Sequence, residues 1–401
     1  MMFFFHVILL SFLAILANAA PITLSSTWTD YEVVVVGGGP SGLAALSALG
    51  RVRRNALLID SGEYRNSPTR LVHDVIGFDG VTPAYLRWVA RKQVANYKTV
   101  KTTNGTVTSI QPESDNTYFT VSMTAFDGTV SSFTARKIVL ATGLRDLLAP
   151  TPGLQENFGK GIYWCPWCDG NEHADQPMGI LGSFDRAARA AAEVQTLNTD
   201  VIIFANGTDT PENRERADKV FAENSSEYLE RRNIKVDNRT ISRIVRLRDG
   251  GADHTDPNIP SMPEYDLFRI DFETGPSVER NTFFYTFDDE QRSFIGEKAG
   301  VKLVDGMMTV DDNMLTNVPG IYAVGDANSD ERTNVGHALY TGKSAVVHLH
   351  MELERETSRG LTSRRLSGGK EEEQDRTREN IWSQLKSSPT HPIFIDQYPL
   401  H

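Results

Sequence analysis

The chain has 401 residues, 41 Lys and Arg against 52 Asp and Glu, a formal net charge of −11, and only two cysteines. That length allows two or three domains with real cores, and 9% aromatic and 23% charged residues exclude wholesale disorder. The acidic balance argues against nucleic acid as a partner, and two cysteines supply neither a disulfide framework nor the second Cys-x2-Cys of a zinc site.

In chain order, the first element is an apolar run, MMFFFHVILLSFLAILA, interrupted only by His6 and Ser11. It ends in Ala17-Asn18-Ala19, the small-x-small pattern that a signal peptidase reads, with cleavage expected after Ala19. The run is short for a bilayer span of about 20 residues, so residues 1–19 read as a signal peptide and not as a membrane anchor. The expected location is therefore the secretory pathway. Sequons at Asn104, Asn206, Asn224 and Asn238 agree with that route but recur by chance in a chain this long.

Val33-Val34-Val35-Val36 reads as a buried strand leading into Gly37-Gly38-Gly39-Pro40-Ser41-Gly42 and the helix-like LAALSALG. A second strand, Ala56 to Ile59, ends at Asp60. This is the full dinucleotide context: Gly37 for the tight turn, Gly39 for close approach of a pyrophosphate, and Gly42 for helix packing. The helix N-terminus would face the phosphates and Asp60 would accept hydrogen bonds from a ribose. Segments around Tyr118 to Met123 and Val130 to Ala135 then predict a β-meander. The order recurs downstream, with a strand at Met178 to Leu181, a turn at Gly182, and an Ala-rich helix over Arg186 to Leu197. A strand at Val201 to Phe204 follows, then a meander including Leu267 to Phe272 and Thr282 to Phe287. The fold class expected is α/β, with two Rossmann-like three-layer nucleotide-binding domains, the second inserted into the first. The divisions expected are 30–150 with 288–354, 151–287 for the inserted domain, and a polar tail over 355–401.

Ile138-Val139-Leu140-Ala141-Thr142-Gly143 and Gly320-Ile321-Tyr322-Ala323-Val324-Gly325-Asp326-Ala327 are two more strands ending in small-residue turns. With the first glycine loop they resemble the pyridine nucleotide–disulfide oxidoreductase superfamily, and the resemblance implies FAD as cofactor. By that resemblance the flavin nucleotide is held by Gly37, Gly39, Pro40, Ser41, Gly42, Asp60, Ala141, Thr142, Gly143, Gly325 and Asp326. Asp326 meets the ribityl chain, and Asn334 and Val335 lie beside the isoalloxazine ring.

Both cysteines fall in Cys165-Pro166-Trp167-Cys168-Asp169-Gly170, two thiols spaced for a local, reversible disulfide. Zinc would find three ligands at best, counting His173, so no metal is expected. A structural role is weak because so short a loop removes little unfolded-chain entropy. In low-molecular-weight thioredoxin reductases a C-x-x-C-D motif sits at this position. The resemblance makes Cys168 the flavin-facing charge-transfer thiol, Cys165 the thiol that exchanges with substrate, and Asp169 the proton donor and acceptor. Trp164 and Trp167 offer an apolar lip or plain packing. His173, His337, His348 and His350 read as packing or surface residues.

The second glycine turn reads Gly182-Ser183-Phe184-Asp185-Arg186-Ala187, with Phe184 where the second glycine admits a pyrophosphate. Its side chain is expected to fill that space. The next strand runs into Phe204-Ala205-Asn206-Gly207 without arginines for a 2′-phosphate, the nearest being Arg214 and Arg216. NADPH is therefore not expected as a cofactor.

The stretches from Arg65-Asn66 to His73, Gly77-Phe78-Asp79, LATGLRD and GKGIYWCPWCDG resemble fungal gliotoxin-type dithiol oxidases, though some of those carry His where this chain has Asp169. The reading this resemblance implies is an FAD-dependent thiol or dithiol oxidase in secondary metabolism, passing electrons from a small dithiol through Cys165–Cys168 and FAD to O2 and yielding H2O2. Its alternatives are an NADPH-dependent disulfide reductase, a flavin-driven oxidation or cyclisation of a non-thiol metabolite, and a non-catalytic flavoprotein. A homodimer is expected by resemblance.

Overall fold

The computed structural model describes residues 29–221, 224–253, 261–330 and 332–366. The expected signal peptide and the tail beyond residue 366 lie outside the described residues. Strand β1 (Tyr31–Val36) is followed by α1 (Pro40–Arg51) and β2 (Ala56–Asp60). Successive strand side chains point to opposite faces, so an unbroken valine run needs cover on both. Val33 and Val35 pack with Leu43, Leu46 and Leu49 of α1, while Val34 and Val36 pack with Phe119 and Ile138 on the other face. Each such side chain contributes about 1.5–3 kcal/mol by leaving water.

Helix α2 (Pro83–Val94) leads to β3 (Val100–Asn104), and β4 (Thr106–Glu113), β5 (Tyr118–Thr124) and β6 (Val130–Leu140) form the expected meander. The sheet order is β3-β2-β1-β6-β5-β4, with the strand Ile321–Ala323 also on β6. The first half of β6 pairs antiparallel with β5, and its second half runs parallel between β1 and Ile321–Ala323. Strands β1, β6 and Ile321–Ala323 thus end side by side at their carboxyl edges. Three turns, after Val36, Leu140 and Ala323, open there, where ligands bind in doubly wound sheets.

The chain leaves this unit along β7 (Leu144–Leu147). It then lays down β8 (Ile162–Tyr163), β9 (Met178–Leu181), β10 (Val201–Phe204) and β11 (Lys235–Asp237). An antiparallel set follows, β12 (Ile241–Arg248), β13 (Leu267–Phe272) and β14 (Val278–Arg280), before β15 (Thr282–Tyr285) rejoins the parallel sheet in the order β11-β10-β9-β15-β8. The return strand β16 (Asp288–Gln291) pairs antiparallel with β7, so the two crossings form one narrow ribbon. The helix expected over Arg186 to Leu197 spans Phe184–Glu193 instead. It starts earlier because the Phe184 ring belongs to the core with Ala187, Ala188 and Ala191. It ends earlier because the chain then turns to bring the Leu197 carbonyl to the amide of Asp175. The helix Val335–Leu366 runs straight across residue 355, where the polar tail was expected to begin. Glu356 in that helix bonds Lys137 Nζ at 2.7 Å and Arg136 at 2.6 Å, which ties this turn to β6. No described helix is long and apolar enough to cross a membrane.

Candidate active site

The first glycine loop lies at the carboxyl edge just described. Gly37 has φ +112°, and a Cβ there would collide with the Ala141 carbonyl; one on Gly42 would collide with the Gly37 carbonyl. Glycine is therefore required at both by the turn itself. A Cβ on Gly39 would meet nothing within 4 Å and point into open cleft. Pro40 starts α1, no side chain caps it, and its first turn carries no acid. Its N-terminus is thus bare, as an anion site requires. The cleft in front of it is lined by Gly37, Gly39, Pro40, Ser41, Asp60, Ala141, Thr142, Gly143, Asp326, Asn334 and Val335. Gly42 and Gly325 stand behind that wall, and a Cβ on Gly325 would press on Ser41 Oγ.

Three details bear on whether a flavin nucleotide fits. Among the described residues Thr142 Oγ1 is buried without a hydrogen-bond partner, an orphaned polar atom on the cleft wall that a ligand can satisfy. Asn334 accepts the His337 amide at 2.7 Å, so it caps the long helix while its other face meets the cleft. Asp60 is buried and its carboxylate already accepts from the Gly62 amide at 2.9 Å, from Tyr64 Oη at 2.6 Å, and from Arg91. Sequence reading missed this clamp because Arg91 comes from α2, far along the chain. Arg65 was missed in the same way. Its guanidinium lies within 3.0 Å of Asp146 on β7, Asp289 on β16 and Asp326, joining both crossing strands to the cleft. Burial raises the Asp326 carboxyl above its ordinary range, and Arg65 works against that.

Opposite the glycine loop stands the cysteine pair. Cys165 caps the single turn Pro166–Asp169, its Sγ accepting the Cys168 amide at 3.1 Å, and the two sulfurs are bonded. Trp164, Cys168 and Asp169 line the cleft. Trp167 is 71% exposed, whereas Trp164 stacks on Phe158 at 5.1 Å, so Trp167 is the one that stands out into solvent. Asp169 is buried, with the Thr69 hydroxyl 3.4 Å from its Oδ1. Burial, then the charges of Glu264 and Glu172, push its carboxyl well above the ordinary carboxylate range. That environment favours its protonated form.

Behind Asp169 is a knot of charge that no local motif announces. Arg70 bonds Glu264, Asp266 and Asp249, and Tyr163 Oη donates to Glu264 at 2.9 Å. Although burial works the other way, Arg70 and the Gly250 amide hold the Asp266 carboxyl below its usual range. Burial lowers the basicity of His173, which is fully enclosed 3.6 Å from Glu264. His173, Glu264 and Asp266 are close enough to share a cation, but the Arg70 guanidinium already occupies both carboxylates. The knot is an ion-pair cluster joining the two domains.

The second glycine turn differs from expectation. The Phe184 ring does not fill the pyrophosphate space; it is fully buried beneath its helix with Arg214 over it. A cleft remains open beside Gly182, lined also by Asp185, Thr208, Arg216 and Tyr285. What distinguishes this turn from the first is polar. The Phe184 amide donates to Thr208 Oγ1 at 3.0 Å, and Asp185 puts a carboxylate into the first turn. Arg214 is spent on Asp209 and Ser226, whereas Arg216 is exposed with no hydrogen bond or ion pair among the described residues.

Two parallel-sheet units joined by a ribbon, a bare glycine turn and a bonded cysteine pair facing it define a disulfide-type flavin oxidoreductase. The chain belongs to the pyridine nucleotide-disulphide oxidoreductase family, which matches residues 31–342. A "Probable thioredoxin reductase" of Arthroderma benhamiae is 42% identical over 84% of this chain and 83% of its own. "Thioredoxin reductase tcpT" of Claviceps purpurea is 27% identical over 80% of this chain and 93% of its own. The crystal structure of HlmI superposes with a TM-score of 0.70 at 27% identity, covering 84% of this chain and 98% of HlmI. The protein is thus an FAD-dependent oxidoreductase of thioredoxin reductase-like fold.

Proposed function

We propose that the protein is a thiol or dithiol oxidase of fungal secondary metabolism that draws electrons from a small dithiol through Cys165–Cys168 and delivers them to O2, giving H2O2. The observation that carries this reading is the contrast between the two glycine turns. One helix N-terminus is bare and free of acid; the other has its first amide spent on Thr208 and a carboxylate at Asp185. The second suits a pyrophosphate poorly.

In this reading the glycine loop, Thr142, Asp326, Asn334 and Val335 hold FAD, which when bound takes two electrons from the reduced cysteine pair and passes them to the acceptor. The residues of the chain do the rest. A substrate thiolate attacks Cys165, the cysteine set away from the cleft wall, and Cys168 leaves as a thiolate. Asp169, whose protonated form burial favours, supplies the proton that Cys168 takes up. The second substrate thiol then releases Cys165, so one S–S bond breaks on the protein and one forms on the substrate.

The NADPH-dependent reductase is the second reading, favoured by the open cleft beside Gly182 and the unpaired Arg216 on its wall. Anaerobic mixing of the yellow protein with NADPH, and separately with dithiothreitol, distinguishes the two. Bleaching of the flavin by the dithiol alone supports the oxidase; rapid bleaching by NADPH overturns it. Full turnover on a native metabolite after Cys165→Ser and Cys168→Ser would move the function to non-thiol chemistry.

Two further proposals concern the setting. The protein enters the secretory pathway, where exposed Asn206, Asn224 and Asn238 are open to glycosylation; a peptide-N-glycosidase mass shift on protein from a fungal host tests this. It acts as a homodimer through the apolar groove between α1, α2 and the helix Val335–Leu366, where Val52, Val347 and Met351 are exposed beside Leu43 and Leu86.

A further inference from the structure

We propose that His73 relays protons between Asp169 and solvent, working with Glu172 on the inside and Asp79 on the outside. This rests on the reading of Cys165–Cys168 as the exchanging pair, though not on the direction of electron flow. His73, Thr69, Cys168 and Asp169 line one cleft. The His73 side chain is 7% exposed, and one ring nitrogen, Nδ1, faces two carboxylates at once: Asp79 Oδ2 at 3.5 Å and Glu172 Oε1 at 3.8 Å. Asp79 is 36% exposed and reaches water, whereas Glu172 is 5% exposed. Asp79 is held in place by accepting the Asp74 amide at 2.9 Å, and Glu172 by the Ser261 hydroxyl at 2.5 Å.

Chemistry supplies the need. Each time Cys168 leaves as a thiolate and takes a proton from Asp169, the buried carboxylate is left charged beside Glu172 and Glu264, with Arg70 the cation near it. It must regain a proton before the next cycle, and it has almost no contact with water of its own. Glu172 follows in the next turn after Asp169 and is near enough for its charge to be felt there. His73 is the titratable group that joins Glu172 to the surface, since imidazole can accept a proton on the nitrogen from which it later donates it. No bond other than O–H and N–H changes in the relay, and no electron moves.

The test is the enzyme-dependent rate of repeated cycles in which dithiothreitol reduces Cys165–Cys168 in the full-length flavoprotein and excess ferricyanide reoxidises it, followed by ferricyanide absorbance between pH 6 and 9. His73→Gln, which keeps a polar side chain but cannot titrate, should slow cycling by about tenfold and flatten the pH profile. In His73→Gly, added imidazole should restore part of the rate. Glu172→Gln should reproduce the loss, with the flavin absorbance spectrum unchanged in all three as the check on folding. A wild-type rate and pH profile in His73→Gln overturns the relay, and so does a slowed rate that keeps the wild-type pH profile and ignores imidazole. Failure of the wild-type protein itself to be reduced by any dithiol is a different result, and overturns the exchange reading with it.

Discussion

At the scale of single residues, Asp169 is where folding and chemistry pull in opposite directions. Its carboxyl is raised in the folded protein, so the native state holds that proton above the pH at which the unfolded chain gives it up. Stability from this group is therefore lost as pH climbs from the ordinary carboxylate range towards the raised native value. Asp169→Asn removes the penalty: it should melt at a higher temperature than the parent at pH 7, with the gap closing towards pH 4, in paired thermal scans. The same substitution should slow disulfide exchange by about 100-fold, because the proton donor is gone. Asp169 was legible in the sequence because it directly follows the cysteine pair. Glu264 and Arg70, which set its chemistry, were not: Arg70 and Glu264 are separated by 194 positions and no spacing rule joins them.

Elements decide what the glycines mean. Gly37 and Gly39 belong to one loop, yet the first is bound by φ and by the Ala141 carbonyl, and the second only by the open cleft in front of it. Gly37→Ala should therefore destabilise the flavin-free protein by more than about 1 kcal/mol in urea unfolding. Gly39→Ala should leave that stability unchanged and lose bound flavin instead, read from the flavin-to-protein absorbance ratio. Equal loss of stability in both would show that the loop is only a structural turn. The two helices that follow glycine turns also differ in a way that spacing does not show. A sequence scan marks Phe184 as an obstacle, but the side chain of a helix's first residue can turn beneath it, and here the ring joins Ala187 and Ala191. The polar obstacles, Thr208 on the amide and Asp185 in the first turn, depend on the loop after β10 folding back over the helix end.

At the scale of the whole molecule, the inserted unit is fastened to the first by buried charge as well as by its ribbon. Arg70 is 14% exposed and meets Glu264 and Asp266, which are 3% and 0% exposed. Arg70→Met leaves two carboxylates without their main cation, and should cost about 3–5 kcal/mol in equilibrium unfolding. Arg65 fastens the ribbon itself through Asp146 and Asp289, and ties it to the cleft through Asp326. The proposed homodimer is tested separately: if it forms through the apolar groove, Val347→Glu should convert it to a monomer in sedimentation velocity, with the flavin retained. An unchanged sedimentation coefficient would place the contact elsewhere.

The sequence by itself determined the parallel strands, the glycine loop, the turn that ends at Asp326 and the cysteine pair. Each is encoded within a few consecutive residues, by an apolar run, a φ only glycine adopts, or a fixed thiol spacing. Boundaries moved where a side chain's fate depended on distant partners: Phe184 entered a core and pulled its helix forward, and Glu356 found Lys137 and kept a polar stretch helical. The tertiary structure puts Cys168, the cysteine that the resemblance makes flavin-facing, on the cleft wall. It alone decided that Asp60 is clamped by Arg91, and that Asp169 is buried among carboxylates with His73 between it and the surface. The reason is physical: burial and through-space charge set protonation and access, and neither is a property of neighbours in sequence.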